Sequence, residues 1–141
     1  MLRAALACAL LPALPLHAWT EPARGSADRA ALMDALRPVA EQELGAPVEF
    51  VVRDLRLDGD VALMRLTAQR PGGGEIDLAE TPMVQRGRAP DTIDGPGVDA
   101  LMRYADGFWQ VAHWAIGPTD VWYADPALCP DFAAVLTDTC P

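Results

Sequence analysis

Residues 98–116 read Val98-Asp99-Ala100-Leu101-Met102-Arg103-Tyr104-Ala105-Asp106-Gly107-Phe108-Trp109-Gln110-Val111-Ala112-His113-Trp114-Ala115-Ile116. Two runs rich in aliphatic and aromatic residues flank Asp-Gly, a dipeptide that tolerates the positive φ angles of a two-residue hairpin turn. Antiparallel strands are therefore predicted over 98–105 and 108–116. A second hairpin precedes them. Val48, Phe50 and Val52 repeat every two residues, whereas Leu55 and Leu57 fall on the opposite phase, so a bulge near Arg53 or Asp54 is needed to keep all five on one side. Asp58-Gly59-Asp60 then turns the chain into a strand over 61–69. Its residues Ala62, Met64, Leu66 and Ala68 suit the underside of a helix, while Val61, Leu63, Arg65, Thr67 and Gln69 make a half-polar opposite face.

The helix is found upstream. Leu32, Leu36, Val39 or Ala40, and Leu44 recur at intervals of three or four, Ser26 or Asp28 can cap the start, and Gly45 ends the pattern. Pro38 lies inside it and is expected to kink or divide the helix, because it lacks a donor and crowds the preceding turn. Residues 70–74 (Arg-Pro-Gly-Gly-Gly) form a loop, a further strand is expected over 75–79, and the Pro-, Gly- and Asp-rich stretch 86–97 is another loop. One helix followed by hairpin-linked strands implies an α+β fold, with the helix packed across a curved antiparallel sheet of four to five strands.

Residues 1–18 combine Arg3, an apolar run and the ending Leu16-His17-Ala18, the pattern of a cleavable secretory leader. The run is too short to span a membrane. Cleavage near Ala18 delivers residues 19–141 to the periplasm or the exterior as a single domain and removes Cys8. Cys129 and Cys140 remain, and an oxidising compartment favours one bridge between them, stapling the C-terminal segment. The 141-residue chain carries a net charge of −9, with arginine as its only cationic residue besides histidine; losing Arg3 makes it one unit more negative. Such a chain is repelled by phosphate backbones and anionic membrane surfaces, which argues against nucleic acid as a partner.

The closing hairpin Asp106-Gly107-Phe108-Trp109-Gln110-Val111 resembles the last hairpin of small NTF2-like and cystatin-like domains, in which an Asp-Gly turn precedes a Trp and alternating aliphatics. Residues 45–50, the Gln69-Arg70-Pro71-Gly72-Gly73 loop and Ile116-Gly117-Pro118-Thr119-Asp120-Val121 are also similar to an uncharacterised exported bacterial family. The first resemblance implies a helix laid on a curved sheet; the second implies no activity. A single N-terminal helix provides less cover than NTF2-like pockets usually have.

Candidate site residues follow from the sheet. Arg53, Arg65 and Arg103, from three strands, can build an electropositive hollow for a small anionic ligand, or can instead pair across strands with Glu49, Asp54 and Asp99. Trp122 and Tyr123, with Trp109 or Trp114, offer rings for stacking on a sugar or peptide ring, or for the core. His113 is the only histidine after processing; with no triad or ligand set around it, it reads as a packed, hydrogen-bonded residue, and its alternative use is as an acid or base. Asp120 can cap a short helix carrying Trp122 and Tyr123. The sequence contains no HExxH, G-x-S-x-G or Cys/His metal pattern, so no catalytic residue, metal or cofactor is assigned. The strand 108–116 is apolar on both faces and calls for two covers. Its second cover is the C-terminal segment 118–141, another subunit, or a ligand. Three functions fit: a non-catalytic binding or interaction module of the cell envelope, with an envelope protein or small anionic molecule as partner; an enzyme using His113 in a sheet hollow; or a structural homo-oligomer such as a homodimer.

Overall fold

In the computed structural model, residues 19–141 are described; the expected leader, residues 1–18, lies outside the described residues. Helix α1 (Ala27–Leu44) is followed by strands β1 (Glu49–Asp58), β2 (Val61–Gln69), β3 (Gly97–Ala105) and β4 (Phe108–Ile116) in one antiparallel sheet of order β1-β2-β3-β4. A four-residue helix α2 (Pro82–Gln85) sits in the β2–β3 connection and another, α3 (Cys129–Phe132), in the C-terminal segment.

Ser26 caps α1 by accepting from the Arg29 amide at 3.3 Å, and Gly45 closes it with φ +80°, a conformation that disfavours side chains with a Cβ. Leu32, Leu36, Ala40 and Leu44 are its buried stripe, at the spacing that places residues on one helical face. Pro38 does not divide the helix, which runs unbroken to Leu44. The proline is exposed. The carbonyl it leaves unpaired one turn earlier can be hydrated on that solvent-facing side.

The C-terminus of α1 is held by a group that the sequence did not single out. The Arg70 guanidinium donates to the Leu44 carbonyl at 2.9 Å and the Pro47 carbonyl at 3.0 Å, and also to the Gly45 carbonyl. A cation here satisfies carbonyls that have no partner within the helix and opposes the negative end of its dipole. Arg70→Ala is expected to lower stability by about 2 kcal/mol, because charge-assisted bonds to partly buried carbonyls are lost. Arg70→Lys should recover less than half, since an ammonium cannot reproduce the planar fork. Urea denaturation of the three proteins checks this.

β1 carries the expected bulge. Its register with β2 shifts between Val52 and Asp54, leaving Arg53 as the additional residue, so Phe50 and Val52 before the bulge and Leu55 and Leu57 after it all face α1. The strand expected over 75–79 is absent. Asp77 instead caps a 3-10 turn (Leu78–Glu80) by accepting from the Ala79 amide at 3.1 Å, because β2 already has β1 and β3 on its two sides and a fifth strand has no edge to join there. Ile76 and Met83 from this connection are buried in the core beneath α1.

Two apolar clusters lie on opposite sides of the sheet. The first joins the α1 stripe to Ala62, Met64, Leu66 and Ala68 of β2 and to Val98, Ala100 and Met102 of β3. The second joins Val61, Leu63 and Leu101 to Tyr123, Phe132, Val135 and Leu136. The C-terminal segment is thus the second cover, and Cys129 and Cys140 are bridged with Cα atoms 5.6 Å apart. That cover is centred on β2 and β3, so the expectation that β4 is covered twice is not met: Phe108 is 57% and Trp114 42% exposed. A second, unpredicted bulge contributes. The β3–β4 register shifts between Leu101 and Met102, with Ala112 additional on β4, so the strict alternation expected along 108–116 breaks. Trp109 and Val111 precede it on the α1 side, whereas Trp114 and Ile116, opposite Ala100 and Val98, return to that side after it.

Arg56 clasps the cover to β1. Its guanidinium donates to Asp138 at 2.6 Å, to the Val135 carbonyl at 3.2 Å and to Asp54 at 3.2 Å, and lies 4.9 Å from the Trp19 ring. Burial works against its charge, but the hydrogen bonds to Asp138 and Asp54 outweigh burial and raise its pKa.

Candidate functional site

The half-polar face of β2 does assemble a hollow, with a composition different from that expected. Register sets Arg65 opposite Asp54 of β1 on one side and Asp99 of β3 on the other. The β1 bulge adds Arg53 to the same place, and the segment leaving β4 closes it with Asp120 and Tyr123. The resulting hollow of about 220 Å³ is lined by Arg53, Arg65, Asp94, Asp99, Asp120 and Tyr123 among others. Val121 and Tyr123 stand between it and a neighbouring hollow of about 200 Å³ that extends to Arg56 and Asp138, and Arg65 borders both.

Asp99 is the most buried charged residue of this group, at 9% exposure. Arg65 Nε lies 3.9 Å from its Oδ1, close enough for Coulomb attraction and too far for a hydrogen bond. Arg65 Nε is itself buried with no hydrogen-bond partner. The Arg65 guanidinium rests 5.4 Å from the centre of the Tyr123 ring, a cation–π contact that holds the side chain over the hollow. Burial pushes the Asp99 carboxyl upward in pKa, opposed by the charges of Arg65 and Arg53. The Tyr123 hydroxyl is also pushed up, first by burial, with Arg65 opposing and Asp99 adding to the effect. Two cations and three carboxylates therefore converge on one partly dry site. Low dielectric strengthens the pull of each on a polar guest.

The other predicted residues are elsewhere. Arg103 does not join Arg53 and Arg65: its guanidinium is 3.4 Å from Asp131 and 5.2 Å from the Phe132 ring, because the C-terminal cover offers it both an acid and an aromatic face. His113 is exposed rather than packed in a core, its ring edge-on to Phe132 at 5.9 Å. Among the described residues its imidazole has no hydrogen bond or ion pair, contrary to the expected hydrogen-bonded setting; the β4 bulge and the displaced cover leave it beside Phe132 instead. Trp122 meets Tyr123 edge-on at 5.7 Å and packs against the second cluster, so it supports the wall of the hollow from behind. Asp120 does not cap the turn that carries it: that 3-10 turn (Trp122–Ala124) starts after Val121 without a side-chain cap, and Asp120 lines the hollow. Trp109 belongs to a separate place, an open concavity of about 550 Å³ between the start of α1 and the β3–β4 turn, where it meets Tyr104 edge-on at 5.4 Å.

Asp99 and Asp94 were absent from the expected set of ligand-binding residues, and Tyr123 was expected only as a ring for stacking beside Trp122, not as a wall of the arginine hollow. The strand pairing of Asp99 with Arg65 was within reach of register reasoning. The arrival of Asp94 from the β2–β3 loop and of Tyr123 from beyond β4 was not. Chemically, the site can receive a carboxylate on its arginines and hydrogen-bond donors on its aspartates. Among the described residues, no three His, Cys, Asp or Glu side chains are grouped closely enough to hold a metal ion.

No protein-family model, curated protein or solved structure matches this chain.

Proposed function

We propose that this chain is a small exported, non-catalytic binding module of the cell envelope, built like the small NTF2-like and cystatin-like domains, and that the Arg53–Arg65–Asp99–Tyr123 hollow holds its ligand. The observation that carries this reading is the buried, unpartnered Nε of Arg65, held 3.9 Å from Asp99 in a polar concavity. An arginine donor out of contact with water and without an acceptor is costly unless a guest supplies one. Three carboxylates against two guanidinium groups disfavour a multiply charged anion. The fitting class is a small carboxylate that also bears an amine or hydroxyl, its carboxylate on Arg53 and Arg65 and its donor on Asp94 or Asp120. Export is supported by the composition of residues 1–18 and by the Cys129–Cys140 bridge, which suits an oxidising compartment. The reading needs no proton transfer, and His113 does not line the hollow.

Titration calorimetry with a panel of amino acids, hydroxy acids and sulfate tests it. Amino or hydroxy carboxylates should bind and sulfate should not, and both Arg65→Gln and Arg53→Gln should weaken binding at least about tenfold, the scale of losing one charge-assisted contact. Affinity should rise as pH falls through the range in which Asp99 gains its proton, because a negative charge facing the guest is removed. The same group has the opposite effect of a salt-bridged acid on stability. Its folded pKa lies above its unfolded value, so its contribution favours folding most at acid pH and declines as pH rises through the raised range. Absence of binding by every member of the panel at about 10 mM, a concentration that detects interactions of only a few kcal/mol, would overturn the proposal.

A further inference from the structure

Aromatic side chains gather where β3 turns into β4. The register sets Tyr104 opposite Trp109, and their rings stand 5.4 Å apart with planes 67° from parallel, so the pair makes a corner rather than a flat stack. Tyr104 is 45% exposed, a large ring surface left in water. Trp109 packs in part against the cluster beneath α1, which fixes the corner to the core. The corner opens into the concavity of about 550 Å³. Its far wall is α1, where Ala27, Ala31 and Ala35 lie four residues apart on one helical face and leave space that longer side chains would occupy. Asp28 is the one charged side chain in the lining, and among the described residues it has no ion pair.

We propose that this concavity binds a quaternary ammonium group, held by the rings of Tyr104 and Trp109 and by the Asp28 carboxylate. It is a second site, separate from the Arg65 hollow, and does not rest on the reading of that hollow. Charge complementarity selects the guest. Ring faces are the negative part of an aromatic side chain, Asp28 adds a full negative charge, and the chain as a whole is strongly acidic, so a cation is drawn here. A carboxylate or phosphate would meet Asp28 and find no arginine in the lining. A primary ammonium would bring three N–H donors to a wall whose side-chain acceptors are only the Asp28 carboxylate and the Tyr104 hydroxyl. A quaternary ammonium asks for no acceptor. Its charge is spread over methyl groups, which can pack on the alanines and on the ring faces together. The positive end of the α1 dipole does not oppose it, because Ser26 accepts from the Arg29 amide and Asp28 lies in the first turn.

Titration calorimetry of the disulfide-bonded chain with choline, its uncharged isostere 3,3-dimethylbutan-1-ol, and glucose tests this. Choline should bind at least about fivefold more tightly than the isostere, since the two differ in charge and hardly in shape. Tyr104→Leu, which keeps an apolar side chain at an exposed position, should weaken choline binding by about two- to fivefold. Ala31→Leu, which retains a strong helix former and fills the concavity, should weaken it at least about tenfold. Proton NMR of the unsubstituted chain supplies a readout independent of any variant: choline should move the Trp109 indole signal and leave that of Trp122, behind the Arg65 hollow, in place. Equal affinity for choline and its isostere, tighter binding of glucose than of choline, a shift at Trp122 instead of Trp109, indifference of choline binding to Ala31→Leu, or no binding of choline at about 50 mM would each overturn the proposal.

Discussion

Phe132→Ala is expected to lower the stability of the folded chain by about 3–5 kcal/mol, the cost of emptying a fully buried aromatic site that its surroundings refill only in part. Phe132 is 1% exposed and belongs to the cluster between the sheet and the C-terminal segment. It also supports two side chains from the sheet, with Arg103 stacked at 5.2 Å and the His113 ring edge-on at 5.9 Å. Loss of the ring therefore removes apolar burial and two aromatic contacts together. The first cluster, beneath α1, shares no residue with this one, so the damage should be uneven. Urea denaturation should show the lowered midpoint. Amide exchange should show faster opening at Leu63 and Leu101 than at Leu36, and an equal acceleration at all three would mean that the two sides of the sheet unfold as one unit.

Removing the bridge, by Cys129→Ser with Cys140→Ser or by reduction, should cost about 3 kcal/mol from the freedom gained by the unfolded chain. The eleven-residue separation sets that figure. The folded state loses little contact, because the bridge ties a segment whose apolar groups, Phe132, Val135 and Leu136, remain able to pack. The Arg56 clasp to Asp138 and the Val135 carbonyl should become the main charged tie at that end, beside the Trp19 hydrogen bond to Thr137. Arg56→Ala in the reduced chain should consequently be more damaging than in the oxidised one. Matching urea midpoints with and without reductant would exclude the bridge as a stabilising element.

The fold was largely legible because its signals are local. The α1 stripe could be read from residues at most four apart, and the β1 bulge from a phase change within a single strand. The Asp106-Gly107 turn adopts positive φ at both residues, 57° and 87°, as the dipeptide predicts. The expected strand over 75–79 failed because a local pattern says nothing of whether a sheet edge is available. The β4 bulge failed for a related reason: both faces of 108–116 are apolar, so no phase change marks the residue at which pairing slips.

The candidate site was only half legible. Arg53 and Arg65 were identified, and the alternative of cross-strand pairing with Asp99 also holds in part, through the 3.9 Å approach of Arg65. Arg103 was assigned to the same hollow because it has a comparable position on its strand. It went instead to Asp131 and Phe132, partners nearly thirty residues away that only the docked C-terminal segment brings near.

From the sequence alone came the helix and its limits, the four strands, both hairpin turns and the choice of cysteines for the bridge, since each depends on neighbours in the chain or on simple pairing. Only the tertiary structure decided that Arg70 caps α1, that Asp94 and Tyr123 close the hollow around Arg65, and that β4 is left with an open, uncharged edge. Those outcomes bring together groups separated by tens of residues. Their positions depend on strand register and on how the C-terminal segment packs, and the free energy of that packing is a sum over the whole molecule that no short window of sequence contains.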